Sequence, residues 1–208
     1  MLKLGLTGGI ACGKSTVAAM LRERGVPVLD ADALGHRLIE QGEPAYAAVV
    51  AEFGPGVLLA DGRVDRTKLG AIVFANHEKL NRLNAIVHPR VAKAMQRQFA
   101  AWEQEQKYDA AFVEAALIVE AGYPKYLDGV IVAWCKPEQQ FARLIARGLN
   151  EEEARRRIGA QMPLEEKLKH ASDTIDCSGS LEETRRQVEQ LCAIWTKSAR
   201  ERGQSKMD

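Results

Sequence analysis

The chain of 208 residues is short enough for one ordinary domain, or a domain with an inserted subdomain. Its hydrophobic fraction of 46% supports a full core, while a formal charge of +1 lacks the basic excess that a nucleic-acid binder needs to neutralise backbone phosphates. Four cysteines without a C-x-x-C pair suggest neither a zinc site nor a disulfide scaffold, and no run approaches the roughly 18 apolar residues of a membrane span. With no signal-peptide pattern at the start, these features predict a reduced, cytoplasmic protein without nucleic-acid or membrane partners.

Leu2 to Leu6 is an apolar run ending in Thr7-Gly8-Gly9, which predicts a buried strand and a turn. Val17, Met20 and Leu21 recur at helical spacing between Lys14 and Arg24, and Gly25 suits a helix end. Val26 to Leu29 reads as a second strand closing on Asp30-Ala-Asp32. Strand, loop, helix and strand in this order outline a parallel βαβ unit. From about Ala33 to Lys107 the chain is mostly helical, broken at Gly54-Pro-Gly56 and Ala60-Asp-Gly62. Ala110 to Glu114 and Gly129 to Ala133 are continuous apolar runs, as strands buried on both faces are. Helices are expected over Glu138–Gly148 and Glu151–Met162, then a weaker strand at Asp173–Asp176 and a helix at Leu181–Trp195. The polar end from Lys197 to Asp208 is expected to fray.

Gly8-Gly-Ile-Ala-Cys-Gly13-Lys14-Ser15 fits G-x-x-x-x-G-K-[ST] and lies between a predicted strand and helix. Glycines let consecutive backbone N–H groups approach an anion, and the following helix adds its positive dipole end. In such a loop Lys14 reaches the outer phosphates of a nucleoside triphosphate and the Ser15 hydroxyl can ligate Mg²⁺. Water, a protein or a small molecule could accept the phosphoryl group. A guanine-reading N-K-x-D is absent, and Asp32-Ala-Leu-Gly35 follows Lys14 too soon to leave room for a switch segment. Motor and transporter ATPases usually end the neighbouring strand in Asp, whereas here it ends at Glu114. A compact small-molecule kinase fits best; a regulator that binds ATP without turnover is the rival from another class.

Asp30 and Asp32 leave the carboxyl end of the second strand, where ligands sit in open α/β sheets. Either could cap the following helix, and either could orient an attacking hydroxyl or accept its proton. Asp32, further out of the strand, is the stronger candidate. Cys12 occupies a variable position of the loop and reads as a filler. Glu151–Arg155, Glu152–Arg156 and Glu153–Arg157 are i,i+4 pairs, so that basic run reads as a solvated helix face.

These segments resemble the dephospho-coenzyme A kinase family over nearly the whole chain. The pieces are Leu6-Thr-Gly-Gly-Ile-Ala-Cys-Gly-Lys-Ser-Thr16, Val28-Leu-Asp-Ala-Asp32, Asp61-Gly-Arg-Val-Asp-Arg66, Leu83-Asn-Ala-Ile-Val-His-Pro89, Leu117-Ile-Val-Glu120, Arg143-Leu-Ile-Ala-Arg147 and Gly179-Ser-Leu-Glu-Glu-Thr-Arg185. The resemblance implies ATP-dependent phosphorylation of the ribose 3′-hydroxyl of dephospho-CoA, with Mg²⁺ as cofactor. It places the ATP phosphates on Gly8, Gly9, Ile10, Ala11, Cys12, Gly13, Lys14, Ser15 and Thr16, with Ser15 toward the metal. Asp32, Lys14 and Arg147 take catalytic roles, and Asp30, Arg66 and His88 belong to the substrate side. Pro89 is expected at a helix start. The sequence departs from the family in having Ala11-Cys12 where Gly-Ser is common, Ala116 in place of a proline and Cys177 where asparagine is frequent.

The fold expected is therefore a three-layer α/β P-loop NTPase fold with a parallel sheet of about five strands. Its core would comprise 1–32, 108–137 and 170–196. A helical substrate-binding insertion would occupy about 33–107, and a short helical lid about 138–169. The resemblance leaves a monomer or a small homo-oligomer open.

Overall fold

The computed structural model describes residues 1–204, with side chains to residue 199. The chain forms two compact units, one of Met1–Leu29 with the chain from Gln98 onward, the other of Asp30–Arg97. In the first unit lie β1 (Leu2–Gly8), α1 (Lys14–Glu23), β3 (Ala110–Glu114), β4 (Gly129–Trp134), α6 (Pro137–Ala146), α7 (Glu151–Gly159), α8 (Leu164–Leu168), β5 (Asp173–Asp176) and α9 (Leu181–Gln204). β2 (Val28–Asp30) leads out of it, and the five strands are ordered β2-β3-β1-β4-β5. β1 pairs in parallel with β3 and β4, and β4 with β5.

β1 sits in the middle of the sheet, and every one of its residues but Lys3 is buried. Leu2, Leu4 and Leu6 turn to one face, where they meet Val17 and Leu21 of α1 and Trp195 of α9. Phe112 of β3 joins them, its ring centroid 5.1 Å from that of Trp195. Gly5 turns to the other face, where a Cβ would lie 2.8 Å from Leu127 Cδ1 and 3.1 Å from Ile118 Cδ1. Helices on both sides of a parallel sheet make the three layers anticipated. In this strand order the connection leaving β1 and the one leaving β3 run in opposite directions. The turn after β1 therefore lies at a topological switch point, where such sheets bind ligands.

The second unit is helical, with α2 (Ala31–Leu38), α3 (Tyr46–Phe53), α4 (Arg66–Phe74) and the start of α5 (His77–Glu105), which continues into the first unit. Asp30 caps α2, its Oδ1 accepting from Ala33 N at 2.8 Å. Asp65 caps α4 by accepting from Thr67 N and Lys68 N at 3.0 and 3.1 Å. Asp61 closes the turn between Leu58 and Val64, an antiparallel bridge, by accepting from Arg63 N. Much of the Asp61-to-Arg66 segment is thus turn and cap chemistry.

Several boundaries differ from expectation. β2 begins two residues later, at Val28. Pro89 lies well inside α5 rather than at a helix start. A proline there removes one amide and crowds the carbonyl four residues back; the Arg90 guanidinium sits on the carbonyl one residue further on, Ile86 O, at 2.6 Å. α7 stops at Gly159, short of Met162, and α8 starts right after Pro163, which suits a helix beginning but not an interior. The last helix does not end at Trp195 but runs to Gln204. Residues 205–208 of the expected frayed end lie outside the described residues.

Candidate active site at the phosphate loop

The loop leaves β1 at Gly8 and enters α1 at Lys14. Gly8 cannot be larger, because a Cβ would stand 2.2 Å from Ala133 O on the adjacent strand. Gly13 caps α1 at φ 100°, a region glycine enters freely. Ala11 is also left-handed, at φ 60°. For a residue with a Cβ that conformation costs about 1–2 kcal/mol. Replacing it by glycine removes the strain at some entropic penalty in the unfolded chain. Ala11→Gly is therefore expected to raise Tm by about 2 °C, given about 2–4 °C per kcal/mol for a chain this long. A fall in Tm would show that Ala11 is not strained.

Lys14 Nζ lies 2.9 Å from Glu114 Oε1, and Arg22 Nη2 3.3 Å from Glu114 Oε2. Glu114 ends β3, beside β1 in the sheet and paired in register with Leu6. Its side chain is only 6% exposed, so two cations hold a nearly buried carboxylate at the base of the loop. Ser15, in the first turn of α1, is exposed. Its hydroxyl suits Mg²⁺, which keeps most of its waters and takes one or two protein oxygens beside the phosphates. Among the described residues no group of three or more His, Cys, Asp or Glu could hold a metal ion.

Beneath the loop the sulfurs of Cys12 and Cys135 are 3.3 Å apart, both buried, with Cys135 donating. That hydrogen bond, aided by the charge of Arg143 and opposed by burial, lowers the Cys12 thiol to about 7. Burial pushes Cys177 up to about 11. Cys12 is buried, as a filler is, and its N–H donates to Gly9 O at 3.1 Å.

Above the loop the expected arginine is not the one in contact. Arg143 Nη1 donates to Ala11 O at 3.3 Å and Nη2 to Cys177 O at 2.7 Å. Arg147 is the exposed C-cap of α6. Glu153 and Arg157 form their i,i+4 pair at 2.6 Å, whereas Arg155 lies over the Phe141 ring. Two glutamines that no sequence motif marks also touch the loop. Gln140 Nε2 donates to Ile10 O and Ile10 N donates to Gln161 Oε1, each at 2.8 Å.

The remaining candidates belong to the second unit. Asp30 is the cap of α2, and Asp32 stands exposed in that helix's first turn. Arg66 opens α4 and is exposed. His88 is half-buried in α5, and burial lowers its pKa.

The family model described as dephospho-CoA kinase matches residues 2–183. The chain is 47% identical to the dephospho-CoA kinase of Geobacillus kaustophilus over 195 residues, covering 93% of this chain and 96% of the relative. A solved structure from Thermus thermophilus aligns with a TM-score of 0.77 at 37% identity, covering 92% of this chain and 96% of that one. The structure of a dephospho-CoA kinase from Campylobacter jejuni aligns at 0.71 and 29% identity, over 94% of this chain and 98% of that one. With a family model matching residues 2–183 and 47% identity to a relative across 93% of its length, the chain belongs to the dephospho-CoA kinase family.

Proposed function

We propose that the chain transfers the terminal phosphoryl group of ATP to the ribose 3′-hydroxyl of dephospho-CoA, giving coenzyme A and ADP. The observation that carries the ATP half of this reading is the cradle of Gly8 to Ser15 at the N-terminus of α1, with Lys14 anchored beside it, and the acceptor follows from membership of the family. Loop amides and the helix end hold the phosphates, and Lys14 stabilises charge on the transferred group. Ser15 would hold Mg²⁺, which would supply neutralisation of phosphate charge. Asp32 orients the acceptor hydroxyl and takes its proton, while Asp30, Arg66 and His88 serve the substrate side. Arg143, already at the loop, and Arg147, at the end of the same helix, supply cations to the lid over about 138–169, whose closing part is the stretch between the loop contacts of Gln140 and Gln161. Closure excludes water and suppresses hydrolysis of ATP.

No helix among the described residues is long and apolar enough to cross a membrane. The cytoplasm as site of action, and a monomer or small homo-oligomer, complete the proposal. A coupled ADP-release assay with dephospho-CoA beside AMP, CMP and gluconate tests it. ADP release is expected with dephospho-CoA far above the other acceptors; turnover of AMP, CMP or gluconate in its place would overturn the reading.

A further inference from the structure

Gln140 and Gln161 reach one residue of the phosphate loop from two directions. Gln140 lies on α6, and Gln161 lies between α7 and α8. One donates to the carbonyl of Ile10 and the other accepts from its N–H, both at 2.8 Å. Each glutamine is followed along the chain by a separate anchor. Arg143, three residues beyond Gln140 on the same helix, ties α6 to Ala11 O and Cys177 O. Lys167 of α8 is fully buried; its Nζ donates to Ala116 O at 2.6 Å and pairs with Glu120 at 2.8 Å. Gly9, a free position of the loop motif, accommodates this arrangement, since a Cβ there would lie 2.9 Å from Gln140 Nε2.

The loop lacks the repeating ladder of a helix or strand, and Ala11 and Gly13 hold left-handed conformations within it. Without outside support its amides would reorient when phosphates arrive, and phosphoryl transfer depends on donors aimed in advance. A residue whose N–H and C=O are both bound by side chains has its two flanking peptide planes set from outside. We infer that Gln140 and Gln161 are positioning residues of the phosphoryl transfer, clamping Ile10 between them so that the phosphate loop is preorganised before ATP binds. The clamp rests on the reading of the loop as the ATP phosphate site. In this role the Ile10 N–H is a structural donor to Gln161, and the phosphates take the loop's other amides.

Gln161→Met and Gln140→Met remove the carboxamide at nearly constant length, and Gln161→Glu keeps an acceptor at the same reach. The experiment measures kcat, KM for ATP and Tm with dephospho-CoA saturating, and ATP affinity by calorimetry. Gln161→Met is expected to lower kcat/KM for ATP by about 10–100-fold, the scale of a misplacement near 1 Å, with Tm within about 2 °C of wild type. Gln161→Glu is expected to recover most of kcat while raising KM, because its carboxylate meets the triphosphate charge. The two Met substitutions together are expected to lose less than the product of their separate losses, since both act through Ile10. Wild-type kinetics in Gln161→Met, a kcat in Gln161→Glu no better than in Gln161→Met, or losses that track Tm would overturn the clamp. Tighter ATP binding by Gln161→Met would overturn it too, because Gln161 would then be competing with a phosphate for the Ile10 amide. Calorimetry on the same variants separates failure of the clamp from failure of the acceptor assignment.

Discussion

Asp32→Asn is expected to lower kcat for dephospho-CoA phosphorylation by about 10²–10⁴-fold, the usual contribution of a positioned general base, while ATP affinity stays within about 3-fold. The sequence left two aspartates competing for two jobs, one structural and one chemical. The structure gives the capping job to Asp30, whose Oδ1 accepts from Ala33 N. Asp32 falls two residues later, in the first turn of α2, exposed. Asparagine there keeps the shape and an acceptor oxygen but takes up no proton at neutral pH. Asp30→Asn is the contrasting variant, because asparagine is an equally good N-cap and stability should barely change. Steady-state kinetics on the two variants, with calorimetric ATP titrations, checks the pair. Wild-type turnover in Asp32→Asn would remove Asp32 from the chemistry, and an equal loss of kcat in both variants would mean that Asp30 shares the work at the acceptor rather than only capping the helix.

The features legible in the sequence were those with a period or a fixed spacing. β3 and β4 end within one residue of expectation because a strand buried on both faces has to be apolar throughout. The phosphate loop was legible because its glycines answer to steric demands, such as the contact of Gly8 with Ala133 O. Features that depend on which way a side chain points were not legible. Arg143 and Arg147 are one turn apart on α6 and equivalent in composition, yet Arg143 sits within the helix and faces Ala11 O. Arg147 falls where the helix ends, just before Gly148 turns left-handed at φ 88°. Gln140 and Gln161 carry no charge and belong to no spacing rule, so only the folded loop exposes their convergence. Pro89 misled because proline more often opens a helix than interrupts one. Glu114 was read correctly as a strand end, but its ion pair with Lys14 needed the register of β3 beside β1.

That ion pair supports the second large expectation, in which turnover and stability separate. Lys14→Met removes the cation that meets the phosphates and is expected to cut kcat by about 10²–10³-fold, the scale for losing one preorganised donor to a transition-state oxyanion. Its effect on folding is smaller, because Glu114 keeps Arg22 at 3.3 Å and methionine fills the aliphatic path of the lysine. Glu114→Ala reverses the balance. It leaves Lys14, only 18% exposed, without its carboxylate, and Arg22 loses the same partner. Breaking a buried pair by removing one member destabilises by about 3–5 kcal/mol; the exposure of Arg22 puts this case near the lower bound, so Tm should fall by about 6–12 °C. Turnover should fall less than in Lys14→Met, since the released ammonium can still find the anionic phosphates. Bound ATP restores a counter-charge to Lys14, so saturating nucleotide should raise the Tm of Glu114→Ala more than that of wild type. Thermal melts with and without ATP, beside kcat for both variants, decide the matter. If Glu114→Ala melts like wild type, or gains no more from ATP, the carboxylate is not what holds Lys14 in place.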